Sequence, residues 1–210
     1  MNAQTTPFFL DGAAGKIQCS LNLPMSSATT QKPVGIALIA HPHPLYGGTM
    51  DNKVTQTLAR TFVTMQYATA RMNFRGVEKS DGVHDHGIGE TEDMIVLLNH
   101  MQSLYPDVPV ALAGFSFGTF VLSRLQKIMG QQQRPAQRLV FVGCAAGKWA
   151  LEDVPADTIL IHGEQDDTIP LSDVFHWARP QDIPVIAIPG ADHFFHRKLH
   201  HIKNIVSALW

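Results

Sequence analysis

The stretch AGFSFG, residues 113 to 118, places Ser116 two residues from a glycine on either side, Gly114 and Gly118. A serine in such a G-x-S-x-G turn between strand and helix is exposed for nucleophilic attack, and the helix N-terminus behind it favours developing negative charge. The turn is strained and needs small neighbours. By itself the pattern also fits a glycine-requiring strand-to-helix turn with no chemistry. A serine hydroxyl needs a general base, and that base needs an orienting acid. Downstream, LIHGEQDDTIP carries Asp166 and IPGADHFF carries His193. Serine, acid and histidine in that order describe acyl transfer through a covalent serine intermediate.

These residues need a frame to bring them together. From residue 34 onward, short apolar runs alternate with helix-like stretches. VGIALIA (34–40), YATARMNF (67–74), VALAGF (110–115), RLVFVG (138–143), TILIHG (158–163) and VIAIPG (185–190) read as strands. Several are continuously apolar, as parallel strands covered on both faces are. Between them, Val54, Leu58, Phe62 and Met65 recur at helical spacing, as do Met94, Leu97, Leu98 and Met101, and then Ile202, Ile205, Val206 and Leu209. The alternation predicts an α/β fold with a doubly wound, mostly parallel sheet. PFFL and KIQCSLNLP have no helix between them and predict an antiparallel N-terminal hairpin at one edge. SSATTQKP (26–33) reads as a short polar loop. Ser116, Asp166 and His193 each then follow the carboxyl end of a strand, the edge at which open α/β sheets bind ligands. Packing alone accounts poorly for that coincidence.

With 210 residues, 45% hydrophobic and 16% charged, the chain reads as a single domain over 1–210. A formal net charge of −2 gives no reason to expect nucleic acid or an anionic membrane as partner. The first twenty residues lack a basic stretch followed by a long apolar one, and no apolar run approaches the ~20 residues of a spanning helix. Cys19 and Cys144 lie far apart and form no metal or redox motif. These features predict a cytoplasmic protein.

HPHPLYGGTMDNKV, NFRGVEKSDGVHDHGIGETEDM, AGFSFG, HGEQDDTIP and GADHFFH together resemble the α/β-hydrolase superfamily over nearly the whole chain. The match is closest to a small, lidless bacterial subgroup of esterase- or thioesterase-like proteins with an HPHP loop. That resemblance implies the α/β-hydrolase fold and a catalytic triad of Ser116, Asp166 and His193. Its G-x-x-D-x-x-[VI]-P stretch maps to Gly163, Asp166, Ile169 and Pro170, which selects Asp166 over Asp167. Its G-x-x-H pattern maps to Gly190 and His193. Glu78 departs from the family, which usually has glycine there. No cofactor is implied.

An enzyme of this fold holds the oxyanion with two backbone N–H groups. One belongs to the residue after the nucleophile, Phe117; the other comes from the loop after the third strand, here HPHPLYGG. Relatives begin this loop His-Gly, so Pro42 takes the place of the glycine and His43 N–H becomes the donor. Pro42 and Pro44 stiffen the loop and hold His43 extended. Leu45 and Tyr46 N–H remain alternatives. Gly47 and Gly48 allow close backbone passage before a helix capped by Thr49 or Asp51. Residues 144–157 are too few for a folded lid, which implies an open site for short- to medium-chain acyl esters or thioesters as small-molecule substrates.

Other residues admit plainer roles. His41 and His43 with His193 imitate a zinc site, but no carboxylate or thiolate accompanies them, so His41 reads as a satisfied polar residue and no metal is expected. Asp85, His86 and Glu90 read as a solvated turn capping a helix rather than as ligands. Arg75 reads as a structural salt bridge, and His196 and His200 as the polar face of the last helix. Phe115 suits the core, whereas Tyr46, Cys144 and Phe194 are candidates for the pocket wall. Two other classes stay open: a silent binding or regulatory protein on the same fold, and a metal-dependent hydrolase.

Overall fold

A computed structural model describes residues 5–24 and 32–210. Most of the polar loop expected over 26–33 lies outside the described residues. Eight strands form one sheet in the order β1-β2-β4-β3-β5-β6-β7-β8. β1 (Thr5–Gly12) and β2 (Gly15–Asn22) make the antiparallel hairpin, and β2 runs antiparallel to β4 (Tyr67–Met72). β3 (Gly35–Ala40), β4, β5 (Val110–Phe115), β6 (Arg138–Val142), β7 (Ile159–Gly163) and β8 (Val185–Ile188) are parallel. This is the α/β-hydrolase arrangement expected, mostly parallel with an antiparallel edge.

The central strands are apolar throughout because both faces are covered. Ile36, Leu38 and Leu112 point into one core with Met94, Leu97, Val121 and Leu125. Their strand neighbours Ala37, Ile39, Ala111 and Ala113 point into the other with Leu58, Phe62, Ile202 and Val206. Helices α2 (Ile88–Leu104), α3 (Phe117–Gln131) and α4 (Leu171–Ala178) therefore cover one face, and α1 (Lys53–Thr64) and α5 (Leu199–Leu209) the other. Strand alternation at period two divides the cores cleanly.

Two local expectations need correction. Asn52 caps α1, its side-chain oxygen accepting the Val54 N–H at 2.8 Å, while Thr49 accepts from Asp51 within the preceding turn. His196 precedes α5 and pairs with Asp192 at 2.5 Å instead of lying on the helix. The segment between β6 and β7, residues 143–158, holds turns and no helix or strand, so no cap is folded over the carboxyl edge of the sheet. Among the described residues no helix is long and apolar enough to cross a membrane.

Candidate active site

β5 ends at Phe115 and α3 starts at Phe117, leaving Ser116 alone at the corner with φ +54° and ψ −123°. A positive φ on a residue with a side chain costs energy, and the surroundings enforce it. The Ser116 N–H donates to the Val142 carbonyl at 3.0 Å, tying the corner to β6. A Cβ on Gly118 would stand 2.5 Å from the Ala40 carbonyl oxygen, and one on Gly114 would stand 2.9 Å from Gly118 backbone. Both glycines are thus steric requirements of the corner.

The loops after β7 and β8 bring the partners. His193 Nε2 lies 3.0 Å from Ser116 Oγ, and its Nδ1 lies 2.7 Å from Asp166 Oδ2. Since Nδ1 faces a carboxylate, it carries the proton, and Nε2 is free to accept from the serine hydroxyl. The other carboxylate oxygen, Oδ1, accepts the Thr168 N–H at 3.0 Å and the Ile169 N–H at 2.8 Å. Burial alone would raise the Asp166 carboxyl, but the hydrogen bond and charge of His193, the Ile169 N–H and His162 outweigh it and hold it below its ordinary value. Asp166 is therefore ionised at neutral pH and oriented by three hydrogen bonds, from His193, Thr168 and Ile169. Asp167, its neighbour, lies at the cavity rim instead.

His193 is only 3% exposed, packed beside Phe115 and Phe194 with ring centroids 5.0 and 5.2 Å away. Ser116, 8% exposed, opens into a cavity of about 620 Å³ whose wall includes His43, Tyr46, Trp149 and Phe194. Trp149 was not signalled by any motif. It is fixed against Phe117, Phe120 and His43 at centroid distances of 4.9, 5.2 and 5.4 Å. The expectation for Cys144 is corrected: it is wholly buried in the core, and its neighbour Ala145 reaches the cavity instead. Burial pushes its thiol up to about 12.

The HPHP loop explains itself once its hydrogen bonds are followed. Pro44–Tyr46 form one 3-10 turn, with Leu45 N–H donating to His43 Nδ1 at 3.2 Å and Tyr46 N–H to the His43 carbonyl at 3.2 Å. Gly48 N–H also donates to that carbonyl, at 3.0 Å. Both alternative donors are thereby consumed inside the loop. Among the described residues, the N–H groups of His43 and Phe117 make no intramolecular hydrogen bond, and both residues line the cavity beside Ser116. His41 is wholly buried, with Nδ1 2.6 Å from the Pro42 carbonyl and Nε2 accepting the Phe74 N–H at 2.9 Å. Both its nitrogens are committed, which leaves none for a metal.

Asp85, His86 and Glu90 do not reach the cavity. Glu90 is buried at the start of α2, accepting the N–H groups of Asp85 and Gly87 at 2.9 and 2.8 Å, with His84 Nδ1 2.8 Å away. Arg75 grips Asp93 through two bonds of 2.9 Å and ties the β4 loop to α2. Glu78, the departure from family pattern, sits at φ +52°, a conformation glycine adopts without strain.

No protein-family model matches the chain. An uncharacterised protein of Rickettsia prowazekii is 28% identical over 95% of this chain and 86% of its own length. An α/β serine hydrolase without lid from Xanthomonas campestris superposes with a TM-score of 0.89 at 29% identity, covering 100% of this chain and 94% of that one. An α/β serine hydrolase homologue from Coxiella burnetii gives a TM-score of 0.82 at 30% identity, covering 97% of this chain and 96% of that one. The shared sheet, with this level of identity sustained along nearly the full length of both chains, makes the protein a member of the α/β-hydrolase superfamily.

Proposed function

We propose that the chain is a serine hydrolase that cleaves short- to medium-chain carboxylic esters or thioesters through an acyl-enzyme. The observation that carries this reading is the continuous chain from Ser116 Oγ to His193 Nε2 at 3.0 Å and from His193 Nδ1 to Asp166 at 2.7 Å. The serine hydrolases among its similar structures support the same reaction class.

Ser116 Oγ attacks the substrate carbonyl while its proton passes to His193 Nε2. Asp166 holds the imidazole in the tautomer that accepts this proton and stabilises the imidazolium that results. The N–H groups of Phe117 and His43 receive the oxyanion, each worth on the order of 10²–10³ in rate. The C–O or C–S bond then breaks, and His193 returns the proton to the leaving alcohol or thiol. Water, deprotonated by the same imidazole, releases the acid and restores the serine. The uncapped carboxyl edge suits small, accessible acyl groups.

The test is hydrolysis of p-nitrophenyl esters and acyl-CoA thioesters, chain length two to sixteen, by wild type and Ser116→Ala. Turnover on the shorter members, lost by a factor of roughly 10⁴ or more in the variant, is the expected result. Activity equal in both proteins overturns the reading.

A further inference from the structure

His162, in β7, is a wholly buried histidine that no step above uses. The rest of its strand, Ile159, Leu160, Ile161 and Gly163, is apolar or glycine. Its Nε2 lies 2.9 Å from the Ile169 carbonyl oxygen and 3.3 Å from Asp166 Oδ2. Both are acceptors, so Nε2 carries the proton; it donates to the Ile169 carbonyl and turns the positive end of its N–H dipole close to Asp166 Oδ2. Nδ1 is then an acceptor, buried and without a hydrogen-bond partner among the described residues. A buried ring nitrogen left unpaired is a cost that an aliphatic side chain here would not incur.

We infer that His162 is a positioning residue that fixes Asp166 and limits how strongly that carboxylate binds the His193 imidazolium. The inference rests on the reading of Asp166 as the orienting acid. Ile169 is held at both ends, its N–H by Asp166 Oδ1 at 2.8 Å and its carbonyl by His162, so one ring braces the turn that aims the acid. Oδ2 is hydrogen-bonded to His193 at 2.7 Å and has the His162 ring nitrogen 3.3 Å away. An N–H dipole this close to Oδ2 stabilises the carboxylate's charge and leaves less of it to hold the proton on His193. The titratable groups facing His162 are Asp166, from the loop after β7, and His193, from the loop after β8. Burial keeps the His162 ring below its ordinary value against the opposing pull of the Ile169 carbonyl and Asp166, with His193 adding to the lowering, so it acts as a neutral donor.

Glutamine places its amide nitrogen near the position of a histidine Nε2, whereas leucine fills the space without a donor. The experiment compares His162→Leu and His162→Gln with wild type in kcat, KM, the acid limb of the kcat/KM profile, thermal stability and the rate of labelling by a fluorophosphonate. His162→Leu should lower kcat by roughly tenfold to a hundredfold with KM little changed. Its acid limb should move to higher pH by about half a unit or more, because Asp166 then concentrates its charge on His193. His162→Gln should recover most of kcat and return the limb toward wild type. Equal kinetics and pH profiles in the two variants, or losses that follow only melting temperature, would overturn the inference. If His162→Leu does not fold, the glutamine variant decides: a wild-type acid limb supports the donor role, and a limb shifted upward despite a native melting temperature contradicts it. Failure of the wild type itself to be labelled at Ser116 would instead overturn the underlying triad reading.

Discussion

Gly118 and Ala40 meet backbone to backbone: the first turn of α3 rests on the end of β3 so closely that a Cβ on Gly118 would stand 2.5 Å from the Ala40 carbonyl oxygen. Neither partner is a flexible side chain that can swing away. The contact also fixes Phe117 beside the loop that carries His43. Gly118→Ala should therefore destabilise the fold by about 1–3 kcal/mol, a fall in melting temperature of a few degrees or more, and lower activity further than stability alone explains. Gly130→Ala, in the same helix with nothing within 4 Å, should hold or gain up to about 1 kcal/mol. Paired melting curves check both.

The HPHP loop gives a prediction about a single N–H. His43 has φ −56°, a value proline adopts without strain. His43→Pro removes the backbone donor, and His43→Ala keeps it; both lose the ring that accepts the Leu45 N–H. The proline variant should lose on the order of 10²–10³ in kcat relative to the alanine variant. Steady-state kinetics on one ester, with equal circular dichroism for the two proteins, makes the comparison.

His41 makes stability pH-dependent. Burial, opposed by its bond to the Pro42 carbonyl and reinforced by His43, lowers it from 6.5 to about 3. Its neutral form alone can accept the Phe74 N–H. Between those values the unfolded chain binds a proton that the folded chain does not, so stability falls as pH drops below 6.5 and the loss is complete near 3. His162, also lowered by burial, acts in the same direction. Asp166 adds a contribution present above 3.8 and lost as pH falls through its depressed folded value. Urea unfolding between pH 8 and pH 4 should show, below about pH 6.5, a slope of up to roughly 1.4 kcal/mol per pH unit for each of these two histidines, with Asp166 contributing only below that range, and His41→Gln should flatten it.

Both thiols should be silent in the folded protein. Burial pushes Cys19 up to about 12, with Asp93 adding to it, and pushes Cys144 to about 12 as well. Iodoacetamide at neutral pH should leave activity intact and modify both residues only after unfolding. Inactivation that tracks Cys144 alkylation in the native state would contradict the placement of that side chain.

Reading the chain by residue type reaches some of this site and misses the rest for physical reasons. The parallel strands are legible because burial on both faces makes VALAGF and ILIHG nearly unbroken apolar runs, and the corner at Ser116 is legible because its glycines are steric requirements. α4, only eight residues long, offers too short a period to stand out. The choice of His43 N–H depends on where Leu45 and Tyr46 N–H go, which the letters HPHPLYGG do not reveal. Cys144 follows β6 at the correct edge, yet a rotation of one residue puts Ala145 in the cavity and Cys144 in the core. Trp149 carries no motif, and His162 stands at the head of HGEQDDTIP with nothing in the letters to give it a role. Their places come from rings packed across distant loops and from a hydrogen bond to Ile169 that spans a turn.

The most direct measurement is intact-mass spectrometry of the protein after exposure to a fluorophosphonate, followed by mapping of the modified peptide. One adduct on Ser116 in the wild type, with none in Ser116→Ala and much slower formation in His193→Ala, is the expected result. A wild-type protein that hydrolyses esters while Ser116 stays unmodified, or a Ser116→Ala variant labelled as readily as wild type, would contradict the assignment of Ser116 as nucleophile.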